Sequence, residues 1–380
     1  MHMKLSKMNT ALIVLMSLVS IEISAHDIEV KNSDEVTIYY VWINNNTELA
    51  VSFRGTDSST YNEYKNTVNI PEFVTYNGTD YPVTSIGESA FSGCTMMTNV
   101  TIPNSVESIG QYAFAGCSGL TNLTIPNSVK TCGRNAFGGS SIRSVVLSNS
   151  LVSIEKNAFY NCTRLKSVDI PNSVTSIGEA AFRGCTGLIN VNIPNSVTSI
   201  GSDAFYGCNG LTSVKLPEAL TTIEAHLFFN CTHLYDVNIP NSVTSIGVQA
   251  FSSSHISSIT IPSSVTTINS MAFSSCSDLS TVYVQQTTPI VITASEFSNR
   301  ANATLYVPYG CVAAYKAATG WKEFKEIKEM YSEKCATPTI TFANGKLTFS
   351  SETEGVEFIY NITAADATTS IGNNVPLSPT

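Results

Sequence analysis

IPNSVTSIGEAAFRGC, residues 170–185, recurs with small changes along most of the 380-residue chain. Its phenylalanine falls at Phe91, Phe114, Phe137, Phe159, Phe182, Phe205, Phe228, Phe251 and Phe273, spaced by 23 residues in six cases and 22 in two. The stretch that follows each copy carries a second pattern. Leu120-x-x-Leu123-x-Ile125 returns as Leu165/Val168/Ile170, Leu188/Val191/Ile193 and Leu234/Val237/Ile239. Alternation at period two turns one side of a strand to a core and the other to solvent. Nine such strands, stacked in parallel at ~4.8 Å, predict a sheet about 40 Å long.

A repeat of roughly 20–29 residues with leucine-like positions at fixed offsets is the signature of a leucine-rich solenoid. Proline closes most of the strands (Pro103, Pro126, Pro171, Pro194, Pro217, Pro240, Pro262) because it cannot donate to a ladder. Asn-Ser then supplies turn chemistry, Gly178 allows a bend, and Ala181-Phe182 returns to the core. The coil is too short for a full helix on its outer side. The expected fold is therefore a leucine-rich repeat solenoid, mostly β with short helical turns and a parallel sheet on the concave face.

A solenoid exposes its core at both ends and needs caps. EVTIYYVWI and TELAVSF, separated by NNNT, read as a β-hairpin within an N-terminal β cap over residues 26–68. VTYNGTDYPV reads as a second hairpin turning at Asn77-Gly78. The solenoid with its C-terminal closure is placed at 69–331, with a helix from about Tyr309 to Ala318 and with Trp321 and Phe324 over the final coil. Residues 332–380 read as a partial β domain or tail.

Seven cysteines (Cys94, Cys117, Cys162, Cys185, Cys208, Cys231, Cys276) follow the phenylalanines at a fixed offset. Both 22-residue spacings follow copies with Ser140 or Ser254 in that place, which predicts that the shorter turn loses the cysteine position. Cys132 aligns with Ile109 and Ile177, a core position. These thiols read as small apolar plugs. A disulfide or metal ladder is the alternative, disfavoured by an odd count and by the lack of any CxxC pair.

Composition narrows the function. The formal charge is −9 and the basic residues form no run, which speaks against nucleic acid or anionic lipid as partner. Lys4 and Lys7 precede an apolar stretch ending near Ile21, with Ala25 as a cleavage residue, so residues 1–25 read as a secretory signal peptide. That stretch is shorter than the roughly 18 residues a membrane span needs, and no span is expected after its removal. The chain has no GxSxG, Walker or GxGxxG motif, and His226 and His233 lie seven apart rather than at HExxH spacing. Asp169 and Asp236 fall three coils apart, too far to pair as acid and base. No enzyme activity, cofactor or metal is expected.

The outward positions of the strands are mostly hydroxyls and amides, as a solvated sheet without a ligand would also show. The candidate partner-binding residues are Asn190, Asn192, Ser213, Lys215, Tyr235, Asp236, Asn238 and Tyr283. Among them Lys215, Tyr235, Asp236 and Tyr283 break the polar monotony with the residue types that interfaces concentrate.

The unit LTNLTIPNSVxxIGxxAFxxC resembles the BspA-type leucine-rich repeat family over about residues 70–285. TLYVPYGCVAAYKAATGWKEF and the N-terminal hairpin are also similar to elements of its bacterial members. The resemblance implies a surface protein that adheres to host matrix proteins such as fibronectin or to other cells. It transfers no binding motif residue by residue. Two classes follow: a secreted or cell-surface protein binding a protein partner, and a carbohydrate-binding or nutrient-capture module. An inert spacer is the bland alternative to both.

Overall fold

The computed structural model describes residues 26–54, 63–330, 339–343 and 346–350. The signal-peptide reading of residues 1–25 lies outside them, as does most of the tail. The chain winds into a β-solenoid of about 11 turns with almost no helix, as the repeat predicts. The repeating coils have a front strand from the Leu-x-x-Val-x-Ile pattern and a two-residue rear strand, Ser-Ile in most coils and Thr-Ile or Thr-Cys in the others. Front strands pair in parallel at a register of one repeat: Asn190 lies opposite Ser167, and Asp236 opposite Ser213. The front ladder is interrupted, since Asn122–Thr124 pairs with Ser144–Val146 and Ser167–Asp169 with Asn190–Asn192 as separate sheets.

The nine phenylalanines form one column through the core, every ring at most 1% exposed. Neighbouring centroids lie 5.3 Å apart at Phe159–Phe182 and 5.4 Å at Phe182–Phe205, with planes within 4°, which is offset stacking. The column is longer than nine. Phe297 stacks on Phe273 at 4.8 Å, and Trp321 and Phe324 lie against Phe297. At the other end Tyr64 covers Phe91 at 4.8 Å, and its buried hydroxyl donates to the Ser52 carbonyl.

The cysteines form a second column. The Cys185 thiol donates to the Phe159 carbonyl of the preceding coil at 3.1 Å, and Cys117, Cys162, Cys208, Cys231 and Cys276 repeat that bond. A thiol here fills a small space and also satisfies a carbonyl. The expectation for Ser140 and Ser254 needs correction. Both are buried in the same column, each 3.4 Å from the next coil's thiol (Cys162 and Cys276). The shorter coils lose the residue after that position, so the slot is kept and a hydroxyl fills it.

None of the nine described cysteines forms a disulfide, and eight of them are buried. Burial pushes the Cys94, Cys132 and Cys231 thiols up to about 12 from an ordinary 9.0. Titration of the native protein with a thiol reagent should leave the eight buried thiols unreacted, and denaturation should release them. No increase on denaturing would mean disulfides. A thiol that ionises at higher pH when folded contributes stability that is full below the unfolded value and lost as pH rises. The urea midpoint should therefore fall between about pH 9 and 12; a flat profile there would place these thiols in solvent.

Glycine sets how closely coils stack at the rear. Gly178 donates its backbone N–H to the Ile154 carbonyl at 2.7 Å, and Gly110, Gly133, Gly201 and Gly247 make the same bond to their preceding coils. A Cβ on Gly178 would stand 2.6 Å from the Lys156 nitrogen. Glutamate replaces this glycine at Glu155 and Glu224. The rear ladder breaks at both places, between Thr131–Cys132 and Ser153–Ile154 and between Ser199–Ile200 and Thr222–Ile223. Asn269 also replaces it but keeps the ladder, its side-chain amide donating to the Ile246 carbonyl.

Both N-terminal hairpins form. Thr37–Ile43 pairs antiparallel with Glu48–Ser52, and Phe73–Tyr76 with Thr79–Ile86. Glu48–Ser52 then runs parallel to Thr79–Ile86, which joins the hairpin to the rear sheet. At the other end, strands Thr304–Val307 and Glu326–Glu329 continue the front sheet in parallel. The helix between them, Val312–Ala317, is shorter than expected. Charges on Glu326, Lys328 and Glu329 discourage further pairing along that last strand. Thr339–Ala343 and Lys346–Ser350 pair as an antiparallel hairpin.

Candidate functional site

The front strands present their outward residues as columns with a one-coil step. Asn190 and Asn192 flank the buried Val191, Lys215 follows the buried Val214, and Asp236 and Asn238 flank Val237. All but Ser213 and Tyr283, which are half-buried, are exposed. The alternation that buries Val191 is what turns its neighbours outward. Lys215 lies opposite the residue after Val237, so it stands diagonally across from Asp236. No ion pair joins the two among the described residues, and both charges face solvent. Asn238 accepts from the Leu216 N–H at 3.1 Å, which fixes its side chain between coils. Tyr235 is 59% exposed and precedes the strand Asp236–Val237, so it sits at the rim of the face.

Tyr283 does not stand alone. Tyr306, one coil on, stacks against it at 4.9 Å and 21°. Tyr306 was not among the candidate residues, although it lies 23 residues after Tyr283 and the repeat period is the signal that points to it. A second group lies on the turn after the core phenylalanine. Tyr206 stacks on Phe229 at 4.8 Å, the Arg183 guanidinium lies 4.0 Å over Tyr206, and Arg183 pairs with Asp203 at 2.7 Å. His226 joins this group, 3.8 Å from Asp203, while His233 stacks near His255 in a separate exposed turn. Arg183, Tyr206 and Phe229 carry no motif in the sequence because each is separated from the next by a whole repeat.

Near the first coils, Asn99, Thr101, Asn122 and Thr124 line an open depression of about 320 Å³. Among the described residues no group of three or more His, Cys, Asp or Glu side chains is placed to hold a metal. No helix of the described residues is long and apolar enough to cross a membrane.

A family model described as the BspA type leucine-rich repeat region matches residues 84–211 and 198–318, in six copies. The chain belongs to the BspA-type leucine-rich repeat family. A leucine-rich repeat protein from Bacteroides ovatus is 31% identical with a TM-score of 0.63, over 77% of this chain and 75% of that one. A leucine-rich repeat protein of T. pallidum is 28% identical over 57% of this chain and 86% of its own length, with a TM-score of 0.39. A leucine-rich cell surface protein from Faecalibacterium prausnitzii is 20% identical over 81% and 96%, with a TM-score of 0.39. No curated protein matches the chain by sequence. The BspA-type repeat is a scaffold of non-enzymatic type.

Proposed function

We propose that this BspA-type protein is exported and binds a protein partner, on a host matrix or another cell, through the front strand face. The observation that carries this reading is the exposed group Lys215, Tyr235 and Asp236 on adjacent coils, without a side-chain partner among the described residues and set on paired parallel strands. Tyrosine and unpaired charge on a preorganised surface are what interfaces use, because little side-chain entropy is lost on contact. Export rests on the layout of residues 1–25. The scaffold role fits a chain whose titratable groups are dispersed along the coils.

The test is solid-phase binding to a panel of immobilised matrix proteins and whole cells. Substituting serine for Lys215, Tyr235 and Asp236 together should weaken binding about tenfold or more and leave the unfolding midpoint nearly unchanged, since all three are exposed. Binding that survives this change but disappears when residues 332–380 are deleted would move the adhesive surface to the tail and make the solenoid a spacer.

A second reading has its own observation. The Tyr283–Tyr306 pair continues a strand face on which Thr260 lies opposite Tyr283 and Ser258 opposite Thr281, and hydroxyls beside stacked rings suit a sugar ring better than an apolar anchor. Retention on a glycan array that Tyr283→Ala abolishes would favour it over the protein partner.

A further inference from the structure

One column of side chains at the rim of the front face changes character in the middle coils. It holds the residue after the first leucine-like position of each strand. Backbone bonds tie it from coil to coil: Arg143 N–H to Thr121 carbonyl, Lys166 to Arg143, Ile189 to Lys166, and Tyr235 to Thr212. Towards the N-terminus the column is Thr98 and Thr121, and beyond Tyr235 it is Ser257 and Ser280. Between them stand Arg143, Lys166, Ile189, Thr212 and Tyr235, on five consecutive coils. Arg164, two residues before Lys166, adds a third cation on the same coil as Lys166. Arg143, Arg164 and Lys166 are exposed, and none has an acidic partner among the described residues. The nearest acid on those strands is Asp169, three residues beyond Lys166. Ile189 is 42% and Tyr235 59% exposed.

We infer that this stripe is the docking track for an extended peptide segment of a protein partner, acidic at one end and apolar at the other. The inference rests on the protein-binding reading above and names the chemistry of that partner. Charge complementarity sets the acidic end over Arg143, Arg164 and Lys166 in a chain whose formal net charge is −9. The apolar end lies over Ile189 and Tyr235, where burial of the exposed side chains is favourable. Asp236, beside Tyr235, opposes the reverse orientation by like-charge repulsion. Four coil steps at ~4.8 Å span about 19 Å, which an extended strand at ~3.3 Å per residue covers with about six residues.

The experiment probes an array of short random-sequence peptides with the labelled full-length protein. Peptides retained by the native chain should be enriched in Asp or Glu next to a large apolar residue. The double substitution Arg143→Glu and Lys166→Glu should lower those signals about tenfold or more and raise signals from Lys- and Arg-rich peptides. Ile189→Ser with Tyr235→Ser should lower them without that charge swap. Absence of acidic–apolar enrichment, or enrichment unmoved by the charge reversal, overturns the track. In the solid-phase panel, binding that survives the charge reversal but is lost in Lys215→Ser with Asp236→Ser would keep the protein-binding reading and overturn only the stripe. All the substituted side chains are exposed, so an unchanged unfolding midpoint checks that the variants fold.

Discussion

Phe182→Ala should lower the stability of the solenoid by about 3–5 kcal/mol. Its ring is fully buried and lies 5.3 Å from Phe159 on one side and 5.4 Å from Phe205 on the other. Removing it withdraws apolar area from the core and also leaves a void. That void is hard to close because the coil backbones are held at fixed spacing by hydrogen bonds, such as the Phe182 N–H to the Ala204 carbonyl at 2.8 Å. Each coil contacts only its neighbours, so the loss falls on two interfaces at mid-column, where fraying from an end cannot relieve it. Denaturant unfolding monitored by circular dichroism measures the change, with the exposed Ile189→Ala as control. A loss below about 1 kcal/mol would place Phe182 outside the core and break the coil register.

Gly201→Ala should cost about 1–3 kcal/mol although it adds one methyl group. The new Cβ would stand 2.6 Å from the Glu179 nitrogen and 2.9 Å from its Cα. Those atoms are backbone and cannot rotate away. The coils must separate, which weakens the bond from the Gly201 N–H to the Ile177 carbonyl, now 2.8 Å. The chain has made a related change at Glu155 and Glu224, where the rear ladder is interrupted. The measurement is again the denaturation midpoint, paired with amide hydrogen exchange at Gly201. Unchanged stability with full protection of that amide would show that glycine is not what permits the close approach.

Much of the fold was legible because a solenoid is quasi-one-dimensional. One coil's pattern, multiplied by its period, determines which residues stack on which: the phenylalanine column, the inward Val191 and Ile193, the outward Asn190 and Asn192, and the alignment of Cys132 with Ile109. The periodic signal fades where residue types change. Phe297 continues the aromatic column at a longer interval and outside the IPNS pattern, so only its ring stacked on Phe273 reveals it, whereas Trp321 and Phe324, expected over the final coil, lie against it. Ser140 and Ser254 show a different limit. Spacing alone cannot say on which side of the slot a residue is missing, whereas the buried hydroxyls beside Cys162 and Cys276 do.

The candidate surface divides in the same way. The sequence by itself determined that Lys215, Asp236 and Tyr283 point away from the core, since a period-two strand leaves them no other side, whereas Tyr235 precedes its strand and its exposure follows from the structure. The pairing of Tyr283 with Tyr306, the Arg183–Tyr206–Phe229 group and the lack, among the described residues, of an acidic partner for Arg143, Arg164 and Lys166 were decided only by the tertiary structure. The physical reason is that these neighbours are a full coil apart in sequence and about one strand spacing apart in space. Whether a charge meets a partner there depends on rotamers and on the adjacent coil, neither of which the repeat pattern specifies.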